Sequence, residues 1–186
     1  MNIIKNLLSA SILLCIILSM TSCSKEYSSD KEADYSKVIS EVYDAELYMP
    51  SLDELGNYKT IRVTRKTPNG IFFGTTDSVS LIVEYEKTEF DLEYARVLSK
   101  YKFVQSANEY VMDIEANVGG YNILIVDDPD FYTEFTHGET ALTGYKLLMI
   151  GVDTENSKIA YLYHWDDSCG SIKNLDDFVE NKYVIK

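Results

Sequence analysis

Between Tyr58 and Trp165 apolar side chains keep returning at every second position, and this period of two constrains the fold more than any other feature of the chain. Ile61 and Val63 alternate with Thr60, Arg62 and Thr64. Val79, Leu81, Val83 and Tyr85 do the same against Ser80, Ile82, Glu84 and Glu86. An extended strand turns successive side chains to opposite faces, so each run reads as a strand with one buried face. Met112, Ile114, Ala116 and Val118 lead into Gly119-Gly120, which supplies the positive φ angles of a tight turn, and Tyr121 to Val126 returns. Lys146 to Val152 and Ile159 to Trp165 form a second such pair around Thr154-Glu155-Asn156-Ser157.

Helical spacing appears in three places. Val38, Ile39, Val42, Tyr43 and Leu47 predict a first helix ending near Met49, because Pro50 disfavours helix in the residue before it. Phe90, Tyr94, Val97, Leu98 and Tyr101 share one face of a second helix, with acids early and Arg96, Lys100 and Lys102 late, as the helix dipole favours. Leu175, Phe178 and Val179 follow a cap at Asn174 or Asp176. Hairpins dominate and no strand–helix–strand alternation of the parallel type appears. The expectation is an α+β fold over residues 38–186: one antiparallel sheet of five to seven strands, with two or three helices packed mainly on one face.

What precedes that domain is of another character. Leu7 to Met20 is apolar and uncharged, too short to span a bilayer but of the length of a signal-peptide core. Thr21, Ser22 and Cys23 follow. This stretch resembles a bacterial lipoprotein signal, with Met20 standing where that family usually has leucine. The resemblance implies a signal peptide over residues 1–22, cut off just before Cys23, and a diacylglyceryl group on the Cys23 thiol, two or more acyl chains giving a stable anchor. Residues 23–37, polar and serine-containing, read as the lipidated cysteine and its flexible tether. The stretches "YMPSLDELGNYK" and "LLMIGVDTENSKIAYLYHWD" further resemble small lipoproteins of low-GC Gram-positive bacteria, which implies the outer face of the cell membrane and brings no activity with it.

After Cys23 only Cys169 remains, so the domain has no internal disulfide and no zinc site of several cysteines; it rests on its hydrophobic core. Lys5 is the only charged side chain among residues 1–23, so removing it takes the net charge from −13 to −14. Such a surface repels nucleic acid and anionic lipid, so nucleic-acid binding and polybasic-type membrane binding are disfavoured, and it suits cationic partners or divalent ions.

Four clusters carry candidate chemistry. His164, Asp166, Asp167, Ser168 and Cys169 bring a thiol, a base and an acid together, yet the more ordinary reading is a strand histidine and a small buried cysteine. Asp127, Asp128, Asp130 and Glu134 offer the oxygens that calcium needs, without the EF-hand order; the alternative is a solvated turn. Tyr161, Tyr163 and Trp165 share one face of the last strand, either as a platform for sugar rings or peptide side chains or as core. Arg62 and Lys66 share a face and are suited to bind an anion or an acidic partner, or to pair with Glu84 and Glu86 on a neighbouring strand.

The sequence therefore points to a lipid-anchored extracytoplasmic domain that binds a protein, peptide or glycan and needs no cofactor, calcium being the one ion with donors to hand. The alternatives are an extracytoplasmic hydrolase with a site assembled from dispersed carboxylates, and a structural envelope lipoprotein.

Overall fold

The computed structural model describes residues 25–67, 76–107, 111–128, 134–137, 140–143, 145–166 and 172–185. Its strands are β1 (Lys25–Ser29), β2 (Thr60–Thr67), β3 (Thr76–Glu84), β4 (Glu115–Val118), β5 (Tyr121–Ile125), β6 (Glu134–His137), β7 (Thr140–Thr143), β8 (Tyr145–Asp153) and β9 (Lys158–Asp166). Its α-helices are α1 (Glu32–Ser40), α2 (Ala45–Tyr48), α3 (Lys87–Lys100) and α4 (Leu175–Lys182). Seven strands form one open sheet in the order β1-β2-β3-β9-β8-β5-β4, and every neighbouring pair is antiparallel. β6 and β7 form a separate two-stranded ribbon. This is the α+β architecture that the alternation predicts.

β9 lies at the centre of the sheet, and its composition explains the layering. Ile159, Tyr161, Tyr163 and Trp165 point into one core cluster, Ala160 and Leu162 into another, and all are buried. The first cluster is covered by α1 through Tyr35, Val38 and Ile39, by Ala45 of α2, and by α3 through Phe90 and Val97. The second is covered by Leu175 and Val179 of α4 and by Tyr183 and Ile185 of the tail. Three helices thus occupy one face, and a central strand apolar on both sides requires a smaller cover on the other.

Two boundaries differ from the sequence reading. Residues 25–37 are no tether: Lys25–Ser29 pair along the whole of β1 with β2, from Lys25 opposite Thr67 to Ser29 opposite Val63, and α1 begins at Glu32. An edge strand is held by backbone hydrogen bonds to its single neighbour, so a polar sequence with one exposed tyrosine is enough. The single first helix is in fact two. The chain leaves α1 after Ser40 and restarts at Ala45, through Asp44 in the left-handed region (φ 56°). That turn brings the Asp44 carboxylate 2.9 Å from the ammonium of Lys146, a strand lysine only 7% exposed beneath Tyr48. Where a lysine must be buried, an acid at the turn above it is the natural partner.

The β8–β9 turn and α4 match their signals closely. Buried Asp153 accepts from the backbone amides of Glu155 and Asn156 at 3.1 and 3.0 Å, and Ser157 takes φ 54°. Asn174 caps α4, its side-chain oxygen accepting from the Asp177 amide at 2.8 Å.

Candidate functional site

The three helices of the first face cover β2, β3 and β9 but stop short of the β5–β4 side. A groove of about 360 Å³ remains there. Its floor is Asn122 and Leu124 of β5 with Ile150 and Val152 of β8; its wall is Tyr94 and Leu98 of α3. Asn117 on β4 stands directly across from Asn122. Both asparagines are exposed, so two carboxamides, each with donors and an acceptor, project beside the apolar floor, and Thr154 and Glu155 add polar groups at the rim.

The sequence builds this groove by simple rules. On β4 and β5, Ala116, Val118, Tyr121 and Ile123 are turned to the second core, so the intervening Asn117, Asn122 and Leu124 must face the helix side. The helix that would cover them ends at Lys100, and the chain then runs back along β5. Phe103 bridges Val126, and the Val104 amide donates to the Ile125 carbonyl at 3.0 Å, which closes one end of the groove. At the other end are two fixed turns. Gly119 and Gly120 have φ of 60° and 88°, and Asp153 locks the β8–β9 turn as described. A Cβ on Gly119 would meet the Ile185 carbonyl oxygen at 2.7 Å, so this turn rests directly on the C-terminal tail. The rim is therefore rigid, and ordered rims reduce the entropy cost of binding.

The residues singled out from sequence are placed differently. Tyr161, Tyr163 and Trp165 do share one face, but that face is core, at most 6% exposed. Tyr161 donates to Glu93 at 2.9 Å, Tyr163 to the Tyr43 carbonyl at 2.7 Å, and Trp165 stacks on Tyr43 at 4.5 Å between ring centres. They are no binding platform, because α1, α2 and α3 lie on them. Burial pushes both tyrosine hydroxyls far above their ordinary range.

Arg62 and Lys66 occupy the opposite face of β2 from its core residues, as alternation requires, but not opposite the expected glutamates. Arg62 pairs with Asp30 at 2.9 Å, and Lys66 donates to the Asn181 carbonyl at the end of α4. Lys59 is the residue that meets Glu84 and Glu86, at 3.9 and 3.2 Å. Of the proposed calcium ligands, Asp127 and Asp128 follow β5 as loop residues, and Glu134 opens β6, so the acidic segment is not one continuous loop. Asp130 lies outside the described residues, as do Cys23, Asp167, Ser168 and Cys169. Among the described residues no three metal-ligating side chains converge.

His164 acquires a partner that local sequence did not suggest. Fully buried, it holds Ser78 of β3 at 2.9 Å from Nδ1 and has Asp166 at 3.8 Å from Nε2. Burial holds its pKa below the ordinary histidine range, against the pull of Asp166. The three residue types are those of a nucleophile, a base and an orienting acid. Ser78, however, is 2% exposed near the start of β3, and the ring of Phe178 on α4 meets His164 edge-on at 4.9 Å. With no surface for a substrate, the arrangement is a buried polar node joining β3, β9 and α4.

A second polar node pins α3. Glu93, 3% exposed, accepts from Arg96 through both its oxygens as well as from Tyr161. Burial alone would raise its pKa, but the bonds from Arg96 and Tyr161 outweigh burial and leave it lowered.

No family model, no curated protein and no solved structure matches this chain. Its function is accordingly argued from its own geometry.

Proposed function

We propose that the protein is a lipid-anchored extracytoplasmic binding domain, and that its ligand, a protein segment, peptide or glycan, seats in the groove between α3 and the β4–β5 edge. The observation that carries this reading is where the groove lies. The described chain begins at Lys25, two residues after Cys23, on the edge strand β1; the groove's floor on β8 and β5 lies toward the opposite edge, four to five strand spacings or about 19–24 Å across the sheet. It is also at the opposite end. Lys25 stands beside Thr67, at the end of the sheet that holds Thr76 and Asp166, whereas Val152 and Asn122 lie near the Glu84–Lys158 end. A chain anchored at Cys23 would present the groove at the corner farthest from its anchor.

The groove's chemistry suits such a ligand. Asn117 and Asn122 satisfy hydroxyl or amide groups, while Tyr94, Leu98 and Leu124 take an apolar face. The test is the melting temperature of the detergent-solubilised protein against envelope glycan fragments and short peptides. A ligand at a hundred times its dissociation constant adds about 2.7 kcal/mol, a shift of several degrees. The shift should vanish in the Asn117→Ala, Asn122→Ala variant while the ligand-free melt stays unchanged. A shift that survives in the variant refutes the groove as the seat.

A further inference from the structure

The end of the sheet at which β1 begins gathers basic residues in an otherwise acidic chain. Lys25 faces Thr67 across β1 and β2, Tyr27 faces Arg65, and Glu26 faces Lys66. Lys37 comes back along α1 to line, with Lys25, Tyr27, Val38 and Arg65, a cavity of about 440 Å³ between helix and edge strand. On the other face Lys66 reaches the end of α4, where Lys182 follows. Five cations thus surround the entry of the chain. The carboxylates among them are Glu26, Asp34, Glu41, Asp77 and Asp166; Glu41 and Asp77 both pair with Arg65, at 2.7 and 3.0 Å, and Asp34 lies beside Tyr27 and Lys37. Among the described residues Lys25 and Lys37 have no carboxylate within ion-pair distance, and both are exposed. Tyr27, beside them, is 41% exposed. The five cations and five carboxylates balance to zero here, where the chain as a whole is −13.

We propose that this end of the sheet, through Lys25, Lys37, Lys66 and Lys182 with Tyr27, docks onto the anionic headgroups of the bilayer. The proposal rests on the anchor reading above and adds an orientation to it: the domain stands on its β1 corner with the groove directed outward. Two observations carry it. The first is the position of Lys25, which leaves only Ser24 between a lipidated Cys23 and the folded sheet, so this corner is within a few ångströms of the headgroup layer. The second is charge. Basic side chains are attracted to anionic lipid within a Debye length, whereas the acidic remainder of the surface is repelled, so the two together select one orientation. A tyrosine with an apolar body and a polar tip suits the interfacial layer.

The test is lysine acetylation read by mass spectrometry on the full chain reconstituted with vesicles of phosphatidylcholine alone or of phosphatidylcholine and phosphatidylglycerol in equal parts. Flotation is measured on the same samples. With phosphatidylglycerol, labelling of Lys25 and Lys37 should fall about fivefold, the occupancy shift expected from one basic side chain at an anionic surface. Lys87, Lys100 and Lys158 should label as before. In the Lys25→Glu, Lys37→Glu variant, which touches only exposed side chains, protection of Lys66 and Lys182 should disappear. A chain that floats with both vesicles but labels evenly keeps the anchor and overturns the docking face. A chain that floats only with phosphatidylglycerol, with Lys25 and Lys37 protected, keeps the docking face and overturns the lipid anchor. A chain that floats with neither overturns both.

Discussion

Replacing Tyr161 by phenylalanine isolates one hydrogen bond that fastens α3 to the central strand. The ring stays, so the buried apolar area is unchanged; only the hydroxyl 2.9 Å from Glu93 is lost. Glu93 is 3% exposed and cannot turn to water for a replacement. A hydrogen bond to a charged group is worth about 1.5–3 kcal/mol, and most of that should appear here because the acceptor stays buried. At about 2 kcal/mol, a domain of this size melts about 4–8 °C lower. The sole tryptophan, Trp165, lies 6% exposed in the same core cluster, so its fluorescence follows urea unfolding directly. The midpoint should fall without a change in slope. The loss should also depend on pH. Glu93 has its folded pKa depressed, so its bonds stabilise above the unfolded glutamate value of about 4.3 and are lost as pH falls through the folded value. The gap between the protein and its variant should therefore close below that pH. In a Glu93→Gln background the same substitution should cost much less. A loss under about 0.5 kcal/mol at neutral pH, against the scale for charged hydrogen bonds, or one that persists unchanged in acid, would refute the clamp.

Other consequences are as direct. Gly119→Ala forces a side chain into the left-handed region and against the Ile185 carbonyl, and should cost at least about 1–2 kcal/mol in urea unfolding, more than Gly56→Ala, where the nearest atoms are at ordinary contact distances of 3.8 and 3.9 Å. Lys146→Met strands the Asp44 carboxylate above Tyr48 and should lower the melting temperature at pH 7. His164 faces Ser78, Asp166, Lys182 and Asp77, and burial depresses its pKa, so the fold should lose stability as pH falls below about 6.5, the unfolded histidine value. A urea series between pH 5 and 7.5 should show that slope, and the His164→Gln variant should lack it.

Much of this architecture is written in local periodicity. β8, β9 and α3 are legible because each buries one or both faces in a core, which leaves a strict pattern of two or 3.6. β1 is illegible for the converse reason: its pairing with β2 is made by backbone groups, which carry no side-chain signature. The break at Asp44 answers to Lys146, 102 residues away, and no window of sequence contains both. The same holds for the buried polar nodes. The neighbourhood "HWDDSCGS" draws attention to Cys169, but the partner His164 takes is Ser78, 86 residues earlier. Tyr161, Tyr163 and Trp165 look like a platform in one strand because alternation shows a shared face without showing what covers it. The groove is hidden for a similar reason. Asn117 and Asn122 are ordinary polar alternates until the strand order puts β5 beside β8, leaving them beyond the reach of α3.

The proposed protein is a domain held to the membrane by a lipid on Cys23, with its groove at the far corner. The mass of the N-terminal peptide, from protein extracted out of membranes of its native cells, tests it most directly. A peptide that begins at Cys23 and carries a diacylglyceryl group, with a mass that falls on ester hydrolysis by its acyl chains and leaves a glyceryl thioether on the cysteine, is the predicted result. A peptide that begins elsewhere, or an unmodified Cys23, contradicts it.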